Sequence, residues 1–134
     1  MATTLSDYTE NKAADHILGT GAWTMPAAVS LALFTTNPNF ETGAGGTEAT
    51  GGSYARKALA FTAASGGATG NTAAKVWTVG TDLAAGTYTG WGVYDAATVG
   101  NLLFGDAFSA NRTVATTGDT ITFAITTGIT FSIT

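Results

Sequence analysis

The chain has 134 residues, of which 45% are hydrophobic, only 10% are charged and none is cysteine. The absence of cysteine excludes a disulfide framework, a thiolate metal site and a cysteine nucleophile, and a net charge of -4 with five Lys and Arg, scattered except for Arg56 and Lys57, argues against a nucleic-acid partner. No window approaches the ~18 consecutive apolar residues of a membrane span, and Met1-Ala2-Thr3-Thr4 does not open a classical export signal, so a soluble chain without a membrane partner is expected.

A chain of this length reads as one domain over residues 1–134, with residues 1–21 as an N-terminal helical arm. Leu5 to Leu18 carries the helical signal: Ser6 or Asp7 can cap, Glu10 stands three residues after Asp7 as in a capping box, and Gly19 stops the helix. Its apolar stripe is narrow, Ala14, Ile17 and Leu18 with Tyr8 extending it, while Asp7, Glu10, Asn11 and Lys12 stay in water. So short a helix must dock on something. After Trp23 and Met25, Ala28 to Thr35 alternates Val29, Leu31 and Leu33 with Ser30, Ala32 and Phe34, which predicts a strand buried on both faces. Glu41 to Gly52 has too little apolar content for anything but a loop, and long loops are usually functional or mobile. Tyr54 to Thr62 reads as a strand with Leu59 and Phe61 on one face and Arg56 on the other. Ser65 to Asn71 reads as a loop, and Lys75 to Val79 as a strand with Trp77 and Val79 on one side.

Thr87 to Phe108 is the best-specified stretch, a β-hairpin with both arms and the turn written out. Thr89, Trp91 and Val93 share one face of the first arm; Leu102, Phe104, Asp106 and Phe108 alternate with Leu103, Gly105 and Ala107 on the second; Asp95 to Gly100 connects them. Gly90, Gly92 and Gly105 mark close backbone approach or bulges near Trp91 or Phe104. Arg112 to Ala115 and a Thr117-Gly118-Asp119 turn lead to Thr120–Thr134, where Ile121, Phe123, Ile125, Ile129, Phe131 and Ile133 share one parity. Gly128 either divides two strands or kinks one, and the C-terminus is expected to end ordered, inside a sheet. The sum is a mainly β protein: an antiparallel, jelly-roll-like β-sandwich of about seven or eight strands with one short N-terminal helix.

Little chemistry is written in these residues. His16 is the lone histidine, at the carbonyl end of the helix, where a structural role outweighs a catalytic one. There is no G-x-S-x-G and no phosphate-binding G-K-[ST]. Asp95 and Asp106 are the pair a glycosidase would need, but Asp95 suits a turn bonded to its own backbone and Asp106 suits a strand residue pairing with Arg112. No enzyme, metal or cofactor is expected. Trp23, Trp77 and Trp91 suit a core better than a sugar platform.

Four runs, LSDYTENKAADHILGTGAW, PAAVSLALFT, GTEATGGSYARKALAF and WGVYDAATVGNLLFGDAF, span most of the chain and resemble a family of small virion structural proteins of tailed bacteriophages, described as head decoration or tail-fibre-like proteins. The resemblance implies a non-enzymatic, assembled β protein of the virion, put together in the host cytoplasm, with no catalytic or ligand motif to carry over. With no fibrous shaft or coiled coil in the chain, a capsid cement protein binding the major capsid protein and copies of itself, a trimer being one arrangement, is the leading expectation. A tail-fibre or adsorption protein is the alternative. A carbohydrate-binding module is a third, and it requires Trp77 or Trp91 to be exposed. For a cement protein the contact residues are expected on the segment Ala2–Leu18 (Asp7, Tyr8, Lys12), on the loop Glu41–Gly52 (Glu41, Glu48) and at Arg56 and Lys57.

Overall fold

The computed structural model describes residues 4–125 and 127–132; the expectations on Ala2, on Ile133 and on an ordered C-terminal end lie outside these residues. Among the described residues there are one helix and ten strands: β1 (Thr4–Leu5), α1 (Asp7–Leu18), β2 (Val29–Thr36), β3 (Thr47–Glu48), β4 (Lys57–Leu59), β5 (Ala68–Gly70), β6 (Lys75–Thr78), β7 (Gly86–Tyr94), β8 (Leu102–Val114), β9 (Thr120–Phe123) and β10 (Thr130–Ser132). The fold is mainly β, antiparallel, with one short N-terminal helix, as the sequence predicts. The main sheet runs β1-β8-β7-β2-β3, with β4 also paired to β2. Two two-stranded ribbons, β6–β9 and β5–β10, form the layer against it.

The predicted hairpin is the spine of that sheet. β2 lies against β7 with Leu31 opposite Val93 and Leu33 opposite Trp91, and β7 against β8 with Val93 opposite Phe104. These side chains make one face, on which the ribbons pack: the Trp77 ring meets Phe123 edge-on at 6.1 Å, Phe123 meets Trp91 at 6.1 Å, and Trp91 meets Phe104 at 6.2 Å. Such edge-on aromatic pairs add roughly 0.5–1.5 kcal/mol each beyond their buried area. A register shift between Val93 and Tyr94 brings Leu103 and Phe104 together into this core.

The opposite face explains why β2 is apolar throughout. The loop after β2 folds back so that Phe40 meets Phe34 at 6.1 Å, and Tyr94 stands 6.4 Å from Phe34. The three glycines of the hairpin make room for this cover. A Cβ on Gly92 would come within 2.9 Å of the Phe34 ring, and one on Gly105 within 2.8 Å of the Phe40 ring. The close approach expected at these glycines is present: Gly105 lies against the Trp91 carbonyl as well as Phe40, Gly92 against Leu102 and Phe34, and Gly90 against Asn37 and the Asp106 carbonyl.

Four expected boundaries move. The loop Glu41–Gly52 contains β3, held to β2, and Ala49 in it is buried, its N–H donating to the Leu33 carbonyl at 2.8 Å. The loop Ser65–Asn71 contains β5, which pairs with β10. The strand predicted over Tyr54–Thr62 is regular only at β4, with Phe61 bridging Asn71. Arg112–Val114 continues β8, which is 13 residues long. Gly128 does divide two strands, β9 and β10: a Cβ there would lie 2.5 Å from backbone atoms of Ala124. Ile125, on the turn they share, is 52% exposed and leaves the parity of its neighbours.

Candidate functional site

Arg56 and Lys57 are adjacent, and the pleat sends them to different partners. Arg56 forks onto Glu48, Nε to Oε1 at 2.9 Å and Nη2 to Oε2 at 2.8 Å, with only 8% of its side chain exposed. Its Nη1 donates to the carbonyls of Val99 at 2.6 Å and Ala96 at 3.1 Å, and the guanidinium stacks 3.6 Å from the Tyr94 ring centre. It thereby clamps the tip of the β7–β8 hairpin to the β3–β4 loop. Burial alone would lower the Arg56 guanidinium, but the bonds and charge of Glu48 more than reverse that and raise it. The Tyr54 hydroxyl donates to Glu48 at 3.2 Å and accepts from the Leu33 N–H at 2.9 Å; burial, with the Glu48 charge adding to it, pushes this phenol far above its ordinary range. Lys57 pairs with Asp82, whose other oxygen accepts from the Thr78 N–H at 2.6 Å. Burial would raise the Asp82 carboxyl, yet Lys57 and that N–H hold it below the usual carboxylate range. Both cations, and Glu48, are therefore occupied within the chain.

At the clamped tip Val99 adopts φ 57 and is 86% exposed. A β-branched residue in the left-handed region is strained. The Val99 carbonyl bond to Arg56 helps to hold it there.

The helix is fixed by its first turn. Ser6 is the N-cap: its Oγ accepts from the Thr9 N–H at 3.3 Å and faces the Leu102 and Leu103 carbonyls, the latter at 3.1 Å. Thr9 Oγ1 donates to the Leu103 carbonyl at 2.8 Å. These bonds to the start of β8 set the helix's rotation, and Thr9 and Ala13 turn inward. The stripe expected to dock turns outward instead, with Ala14 exposed, Ile17 80% exposed and Leu18 75% exposed. The outward face, Glu10, Ala14, Ile17 and Leu18 at helical spacing, runs from acidic to apolar.

Of the remaining predicted contact residues, Asp7 and Glu41 meet, the Asp7 N–H donating to the Glu41 carbonyl at 2.7 Å. The two segments expected to reach out thus touch each other. Tyr8 is half-buried against the core, with the Lys12 ammonium 6.0 Å from its ring. His16 Nδ1 accepts from the Trp23 N–H at 3.2 Å, a structural bond. Asp95 accepts from the Asn101 N–H at 2.7 Å, as a turn residue should. Asp106 accepts from the Ala107 N–H at 2.8 Å, so the expected pair with Arg112 does not form; the Arg112 guanidinium lies 5.6 Å from the Phe108 ring. Trp77 is fully buried and Trp91 4% exposed, which removes the sugar platform. Among the described residues no cluster of metal-ligating side chains occurs, and no helix is long and apolar enough to cross a membrane.

A two-layer β fold in which Arg56 and Lys57 pair internally with Glu48 and Asp82 and whose apolar helix stripe faces out is that of a structural protein made to be packed against neighbours. The chain belongs to the family of the podophage GP4 fiber I protein gp80, whose model matches residues 4–130. No curated protein matches it. The chain is thus a phage fibre protein, a non-enzymatic structural component of the virion. The preference for a capsid cement over a fibre component is reversed by this family.

Proposed function

We propose that the chain is a building unit of the phage tail fibre, held in place by contacts with copies of itself and with an adjoining tail protein. The observation that carries this reading is the match to a fibre family across residues 4–130, almost the whole described fold. The missing shaft or coiled coil is no obstacle, because a fibre can be assembled from compact β units joined end to end. The outward stripe of α1 supports an assembled role, since large apolar side chains left in water are the usual mark of a contact surface.

Counting copies in purified particles by quantitative mass spectrometry, against the major shell protein, tests the reading. A few to a few tens of copies is the expected result; on the order of hundreds would place the chain on the icosahedral lattice and overturn the tail assignment in favour of head decoration.

A further inference from the structure

The charges around α1 are one-sided. Its outward face carries Asp7 and Glu10 in the first turn, Ala14 in the middle and Leu18 at the end, with Asp15 and Ile17 on its two flanks, and all six are exposed. Glu41 is exposed beside the first turn, its carbonyl accepting from the Asp7 N–H. None of these four carboxylates forms an ion pair with another described residue. The lysine of the helix, Lys12, turns the other way, its ammonium 6.0 Å from the ring of Tyr8, which packs on the core. The helix dipole accounts for acidic groups in the first turn, where unbonded N–H groups lie, but not for Asp15 in the last turn, which stands at the carbonyl end and three residues before Leu18. Asp15 Oδ1 accepts from the Thr20 hydroxyl at 2.9 Å, an exposed bond that leaves the charge in place.

This pattern decides between occupants of the apolar stripe. A second copy laying the same face against it would set carboxylate against carboxylate. The rest of the chain has few cations to offer: of its five Lys and Arg, Arg56 and Lys57 are held by Glu48 and Asp82, and Arg112 shares its strand with Asp106. Anionic lipid and nucleic acid are repelled in the same way. We propose that α1 seats the unit on a different tail protein, the Ala14–Ile17–Leu18 stripe lying in an apolar groove of that protein and Asp7, Glu10 and Asp15 facing Lys or Arg on its rim. Twelve helical residues at ~1.5 Å each set the length of that groove at about 18 Å. The inference rests on the fibre reading, which makes a tail protein the neighbour.

Particles of a phage unable to make this chain, grown on a host that supplies it, test the docking. The supplied chains are wild type, an Ile17→Ser/Leu18→Ser variant, an Asp7→Lys/Glu10→Lys variant and a Leu18→benzoylphenylalanine variant for photo-cross-linking; melting curves of the purified chains matching wild type establish that they fold. Each double variant is expected in purified particles at about a tenth of the wild-type number or less, counted by mass spectrometry against the major shell protein. Illumination is expected to join position 18 to one other tail protein, at a stretch containing Lys or Arg. A double variant incorporated as wild type is, an adduct with a second copy of this chain or with the shell protein, a linked stretch without Lys or Arg, or no adduct at all would each overturn the docking. Wild type present in tail numbers with the variants unaffected sinks the docking and leaves the fibre reading standing; wild type present in shell numbers sinks the fibre reading, and the docking with it.

Discussion

The β3–β4 loop with its Arg56 clamp and the helix α1 both sit at the hairpin end of the main sheet, and both are attached through polar groups. In the loop the charged and phenolic groups meet partners in the same chain: Arg56 with Glu48 and two carbonyls, Tyr54 with Glu48 and Leu33. In the helix the polar side chains Ser6 and Thr9 are the ones that turn inward, and Ile17 and Leu18 are left in water. Charge at the clamp is therefore an internal fastening, while the helix leaves large apolar side chains exposed along with Asp7 and Glu10.

The largest effect that would break this contrast is in the clamp. Arg56→Ala leaves the Glu48 carboxylate with only the Tyr54 hydroxyl, and takes the guanidinium away from the Val99 and Ala96 carbonyls, in a site where the Arg56 side chain is almost wholly buried. Removing one partner of a buried pair costs several kcal/mol, less here because Glu48 keeps some water; a loss of about 3 kcal/mol is expected in urea unfolding. A loss under about 1 kcal/mol would mean the clamp is only a surface ion pair. On the helix side Ser6→Ala removes the N-cap and the hydroxyl at the Leu102 and Leu103 carbonyls, and should cost about 1–2 kcal/mol. Exchange of the α1 amides should accelerate with it, since the cap also sets the helix's rotation; unchanged exchange would show that other contacts fix the phase.

What was legible in the sequence follows the reach of each signal. The hairpin showed itself because both of its arms alternate over many residues, and the helix end because Gly19 takes the left-handed φ of 73 that stops a helix. β3 and β5 were invisible: two- and three-residue strands have no period to read, and they exist because β2 and β10 offer them backbone partners. The facing of α1 was misread for a similar reason. Its stripe is local, but its rotation is decided by carbonyls 96 and 97 residues away. At the candidate site, Glu48, Arg56 and Lys57 were picked out as charges, but which carboxylate each cation would meet depends on how the loops fold.

A smaller test probes the one unsettled residue in the clamped region. Val99→Gly relieves a left-handed backbone that costs roughly 1–2 kcal/mol for a side-chain-bearing residue, against the extra freedom glycine gains in the unfolded chain. With Val99 86% exposed there is little burial to lose, so a net stabilisation of about 0.5–1 kcal/mol is expected in thermal unfolding. A destabilised variant would show that the Val99 side chain packs against the fold after all.

The smallest expected effect is also the most discriminating. Were the apolar stripe of α1 docked inward, as its sequence suggests, Ile17→Ser with Leu18→Ser would remove two buried side chains and cost about 3–6 kcal/mol. With the stripe outward the double variant loses only a difference in helix propensity, a few tenths of a kcal/mol, and urea unfolding at low protein concentration should place it within about 0.5 kcal/mol of wild type. A loss of several kcal/mol in the monomer would mean that the helix rotates to bury the stripe in solution. A near-zero change would instead show that those two side chains hold nothing inside the molecule, the opposite of the part played by Arg56.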